Sequence, residues 1–269
     1  MLIKIGYDLE FELAAPTPMI LLLYVHPERT GDLRQLERMI PEPHVTVRDF
    51  IDNFGNRCAR VVAPAGHFRL HSEQVIFDSG LAEEQNTGAL QHPLQDLPGD
   101  TLQFLLPSRY CEVDRFNDVA WKMFGEVPQG WARVKAVSDW VFENVKFGYE
   151  FARATKTAWD VFSERQGVCR DFMHLAVTFL RCLNIPARYA TGYLGDIGVP
   201  PSPEAMDFSA FFEVYLSHRW WPVDSRHNVP RIGRVLMARG RDAADVALAT
   251  SFGPHKLTKF QVVTDELPE

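Results

Sequence analysis

The stretch Gln166–Leu175, which reads QGVCRDFMHL, begins the most regular amphipathic segment of the chain. Apolar side chains recur behind it at the spacing of one helix face, at Phe172, Leu175, Ala176, Phe179, Leu180 and Leu183. The tripeptide Asn184-Ile185-Pro186 ends the pattern, because proline cannot continue a helix. Three residues before Phe172, the same face reaches Cys169. The sequence therefore predicts a helix whose first turn holds Cys169, with the side chain directed toward the packed side.

The position of Cys169 makes it a candidate nucleophile. At a helix start, unpaired N–H groups and the positive end of the dipole favour the thiolate and lower the pKa of the thiol. The effect is about 0.3–1 kcal/mol, less than one pKa unit, so most of the thiol stays protonated at neutral pH. A working nucleophile therefore needs a base, normally a histidine that a third group holds in place. The other cysteines, Cys58, Cys111 and Cys182, are interpreted as small buried hydrophobic residues.

The periodicity divides the chain into two predicted domains. Residues 1–78 predict an all-β domain, sandwich-like or a small barrel, because apolar and charged residues alternate from Ile3 to Leu13 and further short apolar runs follow between turn residues. Residues 79–107 lack a sustained period and are interpreted as a linker. Residues 108–269 begin with helical periodicity and continue with strand-like runs at 187–195, 211–216 and 220–224. Helices followed by an antiparallel sheet predict an α+β domain.

Composition excludes several classes of function. The formal net charge of −7 argues against binding to nucleic acid, and we expect the local strip of five arginines from Arg226 to Arg241 to be solvated or internally paired. No leader sequence and no run near the ~20 apolar residues of a membrane span is visible. The four cysteines lack CxxC spacing, which argues against a zinc site or a disulfide scaffold. We therefore expect no membrane partner, no metal or other cofactor, and a location in the reducing cytoplasm.

Four segments of the chain carry a resemblance to a known family. They are LPSRYCEVD at Leu106–Asp114, QGVCRDFMHLAVTFLRCLNIPARYATGYL at Gln166–Leu194, MDFSAFFEVYL at Met206–Leu216, and VDSRHNVPRIGRVLMARGRDAADVAL at Val223–Leu248. Together they closely resemble bacterial transglutaminase-like proteins, a group that includes candidate cysteine proteases. The strand-rich first domain is similar to the N-terminal domain of these bacterial proteins, so the resemblance covers nearly the whole chain.

The resemblance implies a papain-like α+β core, in which a helix carrying the nucleophile packs on an antiparallel sheet. It implies acyl transfer on peptide or protein amides, through a thioester that passes to water or to an amine. Cys169 matches the nucleophile of the family, and Asp224 matches the acid that orients its histidine. That histidine is expected in a D-F-H-A-W segment, but this chain has Asp207-Phe208-Ser209-Ala210-Phe211. Ser209 therefore occupies the histidine position, and a serine hydroxyl cannot accept the proton.

Three other histidines are candidates for the missing base. His218 lies at the far end of the predicted hairpin, about 20 Å from Ser209 at ~3.3 Å per residue. His174 is about 140° around the helix from Cys169 and points elsewhere. His227 lies three residues after Asp224, at the correct end of the hairpin. It is a candidate base, although the segment Arg226-His227-Asn228 resembles a feature of family members that also keep the usual histidine, which favours a structural role.

Two hypotheses of function follow. The first is a working hydrolase or acyltransferase that uses Cys169 and Asp224, with His227 or a group of the substrate as proton carrier. The second is a non-catalytic member that keeps the fold and the cleft to bind a peptide or protein. The retained Cys169 and Asp224 favour the first hypothesis, and Ser209 favours the second.

Overall fold

The computed structural model describes residues 1–202 and 205–268. The first part of the chain forms six strands, of which two are long and four are short. They are β1 (Leu2–Leu13), β2 (Thr17–Leu21), β3 (Ile40–Glu42), β4 (Arg48–Ile51), β5 (Arg57–Ala63) and β6 (Gly66–Phe77). The segment that follows contains two short 3-10 helices, Leu94–Asp96 and Gly99–Leu105.

The rest of the chain begins with helices and ends with strands. The helices are α1 (Val113–Phe124), α2 (Trp131–Asn144), α3 (Ala158–Glu164) and α4 (Cys169–Cys182). The strands are β7 (Lys146–Phe147), β8 (Gln166–Gly167), β9 (Ala187–Tyr193), β10 (Phe208–Leu216), β11 (Arg219–Val223), β12 (Val235–Gly240), β13 (Ala249–Ser251) and β14 (His255–Leu267).

Helix α4 is the centre of the second part. Every residue from Asp171 to Cys182 is buried, and the other three helices pack against α4 on one side. On its other side α4 packs on the antiparallel sheet of order β11-β10-β9-β12. The predicted helix start at Cys169 is confirmed, and so is the predicted α+β class with a strand-rich N-terminal region.

The strand-rich region consists of two four-stranded sheets, ordered β14-β1-β6-β3 and β13-β2-β5-β4. Each sheet therefore receives one strand from the C-terminal end of the chain. The long pair of β1 and β14 runs antiparallel from Leu2 opposite Leu267 to Leu13 opposite His255. The domain bounds 1–78, 79–107 and 108–269 stay a prediction. Strands β13 and β14, near the C-terminal end of the chain, hydrogen-bond to β2 and β1 of the predicted first domain. Most residues of β14 are exposed, so it lacks the apolar alternation from which a strand is recognised in a sequence.

Within the described ranges, no helix is both long and apolar enough to cross a membrane.

Candidate functional site

The local sequence explains how Cys169 comes to begin a helix. Strand β8 ends at Gly167, where a Cβ atom would lie only 2.7 Å from the Cβ atom of Asp171, so a larger residue would collide with the first turn. The Asp171 carboxylate accepts a hydrogen bond from the Val168 N–H (3.0 Å), which satisfies one of the amides that a helix start leaves unpaired. Arg170 donates to the same carboxylate and balances its buried charge. These contacts fix the backbone on both sides of Cys169.

Cys169 lies in a cleft of about 330 Å³ together with two other predicted site residues. Ser209 and His227 line the same cleft, and so do Asp207 and Arg226. The other cysteines, Cys58, Cys111 and Cys182, are buried elsewhere, whereas Cys169 is partly exposed. The structure thus brings the candidate nucleophile, the serine at the expected histidine position and the candidate base to one surface.

The environment of the thiol differs from the sequence-based expectation. Burial raises the pKa of Cys169, and the negative charge of Asp207 acts in the same direction. Backbone N–H groups of Ala210 and Arg170 and the charge of Arg226 lower the pKa, but they do not outweigh burial. The predicted lowering by the helix start is therefore wrong in sign, because loss of solvation exceeds the modest contribution of the helix dipole.

Asp224 is a buried carboxylate that receives four hydrogen bonds. Its Oδ2 accepts from His227 Nδ1 and from Arg234 Nη2, both at 2.8 Å. Its Oδ1 accepts from the backbone N–H groups of Arg226 (3.0 Å) and His227 (3.1 Å). Burial alone would raise the pKa of Asp224, but the hydrogen bond from His227 and the charge of Arg234 hold it well below its usual range. Asp224 is therefore ionised and oriented.

The contacts of His227 define its tautomer. A carboxylate can only accept, so the Nδ1 atom bonded to Asp224 carries the proton. The guanidinium of Arg226 can only donate, and it contacts the Nε2 atom, which therefore carries the lone pair. His227 is thus oriented so that Nε2 could accept a proton. In this structure the Arg226 guanidinium already contacts that Nε2 atom.

The chain matches the family model described as the transglutaminase-like superfamily over residues 118–225. It also matches the crystal structure of a candidate cysteine protease from Cytophaga hutchinsonii, with 34% identity and a TM-score of 0.87, over 100% of this chain and 91% of that one. The chain belongs to the transglutaminase-like superfamily. An uncharacterised protein of Mycobacterium leprae is 26% identical over 149 residues, which are 54% of this chain and 53% of that protein. The chain therefore spans about half the length of that curated relative.

The hairpin of this transglutaminase-like core has the predicted register. Strands β10 and β11 pair Phe212 with Val223, so the next step places Asp224 level with Phe211. The turn consists of Ser217 and His218, whose positive φ values of 47° and 64° suit a two-residue hairpin. Ser209 lies two residues before Phe211, opposite Gly192 of β9. Ser209 and Asp224 thus lie at the same end of the sheet, as expected.

The other two histidines, His174 and His218, have partners outside the cleft. His174 is fully buried, accepts from the Ala243 N–H (3.1 Å) and stacks on Tyr110, and burial keeps its pKa well below the ordinary value. His218 lies in the hairpin turn with its ring 4.1 Å from that of His92. Neither histidine lines the cleft of Cys169.

Four charged residues around the site were not assigned from the sequence: Asp207, Arg226, Arg234 and Glu83. The sequence indicated part of this group through the arginine strip, for which internal pairing was one expectation. The structure shows such pairs between Arg234 and both Glu83 and Asp224, between Arg239 and Glu213, and between Arg241 and Asp245. Among the described residues, no group of three or more His, Cys, Asp or Glu side chains is arranged to hold a metal ion.

Proposed function

We propose that this transglutaminase-like protein catalyses thiol-based acyl transfer on peptide or protein amides, with Cys169 as nucleophile and His227 as its base. The observation that carries the proposal is the single cleft that contains Cys169 and a histidine held by a buried, ionised aspartate. A nucleophile, a base and a group that orients the base are the three parts that this chemistry requires.

The proposed reaction has two halves. In the first, the sulfur of Cys169 bonds to the amide carbon while the thiol proton moves to His227 Nε2. The C–N bond then breaks, the departing nitrogen takes that proton from His227, and a thioester remains. In the second half, water or an amine attacks the thioester, His227 accepts its proton, and the proton returns to the sulfur as the C–S bond breaks. Asp224 stabilises the imidazolium in both halves.

Arg226 has to leave Nε2 before His227 can accept a proton. We therefore propose that this arrangement is a resting state, with a protonated thiol and a covered base. A substrate whose carbonyl or carboxylate oxygen attracts the guanidinium would uncover Nε2, so substrate binding and activation of the base would be coupled.

The test uses casein as a general protein substrate and measures two products, released peptides and a fluorescent amine coupled to glutamine side chains. We expect Cys169→Ser to abolish both products and His227→Gln to lower the rate about 10²–10⁴-fold, the usual contribution of a general acid–base group. The controls are Cys58→Ala and His218→Gln, which change the same residue types outside the cleft. Unchanged turnover in Cys169→Ser would contradict the proposal.

The second candidate function is a non-catalytic cleft that binds a peptide or protein. Two observations favour it: Ser209 stands at the histidine position, and Arg226 covers the lone pair of His227. Calorimetry with casein peptides separates the two functions, because the second predicts binding that Cys169→Ser preserves while the parent protein gives neither product.

We also propose that the protein works in a reducing compartment, the cytoplasm, in keeping with its four unpaired cysteines.

A further inference from the structure

We propose that Arg234, held by Glu83 of the segment between β6 and α1, is a positioning residue that fixes the Asp224 carboxylate and, through it, the tautomer of His227. The inference rests on the proposed function for its effect on turnover, but its structural part concerns only these four side chains. Neither Glu83 nor Arg234 lies within the matched range 118–225.

Arg234 bridges two carboxylates with different atoms of its guanidinium. Its Nη2 donates to Asp224 Oδ2 at 2.8 Å, and its Nε donates to Glu83 Oε1 at 2.5 Å. The side chain is only 5% exposed and lies over the ring of Phe211, 4.5 Å from the centroid. The hydrogen bonds to Asp224 and Glu83, together with the contact with the Phe211 ring, therefore fix the plane of the guanidinium.

Glu83 is itself fixed to the loop that carries Arg234. The Glu83 N–H donates to the Arg231 carbonyl oxygen (2.9 Å), and the Arg231 N–H donates back to Glu83 Oε2 (3.1 Å). Both oxygens of Glu83 are thereby engaged, one by Arg231 and one by Arg234. The segment predicted as a linker consequently supplies part of the surroundings of the candidate site.

Asp224 responds to this arrangement because all its acceptor positions are used. A carboxylate has about four lone-pair directions, and Asp224 receives four donors. Without Arg234, Oδ2 would keep only His227 while Oδ1 keeps its two backbone donors, so the carboxylate plane could tilt about χ2 and lengthen the bond to His227 Nδ1. A tilted carboxylate selects less strongly the tautomer in which His227 Nδ1 carries the proton and Nε2 carries the lone pair.

The buried charges argue for positioning more than for stability. A buried ion pair gains little over an apolar replacement, because desolvation offsets the attraction, whereas removal of one partner leaves an uncompensated charge. Strand β12, which begins directly after Arg234, offers a matched case. Its Arg239 forms a similar buried pair with Glu213 (2.7 Å) and does not contact Asp224.

The test measures the ¹⁵N chemical shifts of the His227 ring in the full-length protein. In the parent protein we expect the tautomer that the contacts define, with the proton on Nδ1 and the lone pair on Nε2. In Arg234→Met we expect both shifts to move toward the average of the two tautomers, whereas Arg239→Met should leave them unchanged while lowering stability to a similar extent. Arg234→Met shifts equal to the parent's would overturn the proposal.

Glu83 provides a second pair of variants should Arg234→Met fail to fold. Glu83→Gln keeps an acceptor for Arg234 and should retain the parent spectrum, whereas Glu83→Ala should reproduce the averaged shifts. Identical spectra for both variants and the parent would contradict the role of Glu83. Where the parent turns over casein, kcat of Arg234→Met should fall about 10²-fold with KM unchanged, as for a misplaced catalytic group. A parent without turnover would refute the proposed function, and the spectra would still decide the positioning role.

Discussion

Two opposite charges act on the thiol of Cys169. Asp207 disfavours the thiolate and Arg226 favours it, while burial decides the net direction and raises the pKa. The sequence placed Cys169 correctly, because the helical period of its apolar face is a local property of the chain. It gave the wrong direction for the pKa, because burial depends on β10 and on the loop after β11, which are distant in the sequence.

Neutralising either charge should move the titration of Cys169 in a known direction. Asp207→Asn removes a negative charge, so the thiol pKa falls and the alkylation rate rises at lower pH. Arg226→Gln removes a positive charge. In a His227→Gln background, where no uncovered imidazole can pair with the thiolate, it should raise the thiol pKa and move the curve to higher pH than in His227→Gln alone. The measurement is the rate of iodoacetamide labelling at Cys169 against pH, with peptide mapping. Asp196→Asn, also in the cleft, is the control and should leave the curve in place. Shifts of the same sign in both charge variants would contradict this account.

At the level of elements, the site depends on one helix and one hairpin. The register of β10 with β11 followed from the short turn predicted at Ser217–Arg219, so the sequence predicted which residues lie near Asp224; the observed turn is one residue shorter, Ser217–His218. The contacts of Arg226 and Arg234 could not be predicted, because they depend on how the loop between β11 and β12 folds back. That loop has no periodic pattern to read.

Placing a histidine at position 209, where the family has one, tests whether this position of β10 lies close to Cys169 of α4. The backbone N–H of Ala210 faces the Cys169 sulfur, and the neighbouring Ser209 lines the same cleft. Ser209→His should lower the pKa of Cys169 through ion pairing and raise acyl transfer by about 10²-fold or more. Ser209→Asn is the matched control, since it adds a similar polar group that cannot accept the proton. A thiol that titrates alike in both variants and the parent would mean that positions 169 and 209 do not meet.

At the scale of the whole molecule, strands near the C-terminal end of the chain pair with strands near its N-terminal end. Strand β14 completes the sheet of β1, β13 joins β2, and Glu83 contributes to the surroundings of Asp224. Local periodicity was enough to predict the order of elements, in which strands come first, helices follow, and a second sheet comes after the helices. The return of residues 249–267 could not, since β14 is mostly exposed and pairs with residues at the opposite end of the sequence. The strand-rich region and the transglutaminase-like core are therefore joined by these strands, and also by hydrogen bonds between His26 and Leu236 and between Asn56 and Arg239.

The central claim is that Cys169 forms a thioester with the help of His227. The most direct test mixes the protein with a peptide p-nitroanilide, quenches in acid after a few seconds, and identifies acylated peptides by mass spectrometry. We predict an acyl group on Cys169 in the parent protein, little in His227→Gln and none in Cys169→Ser. An adduct on Cys58, Cys111 or Cys182, or no adduct on a Cys169 that iodoacetamide readily alkylates, would contradict the claim.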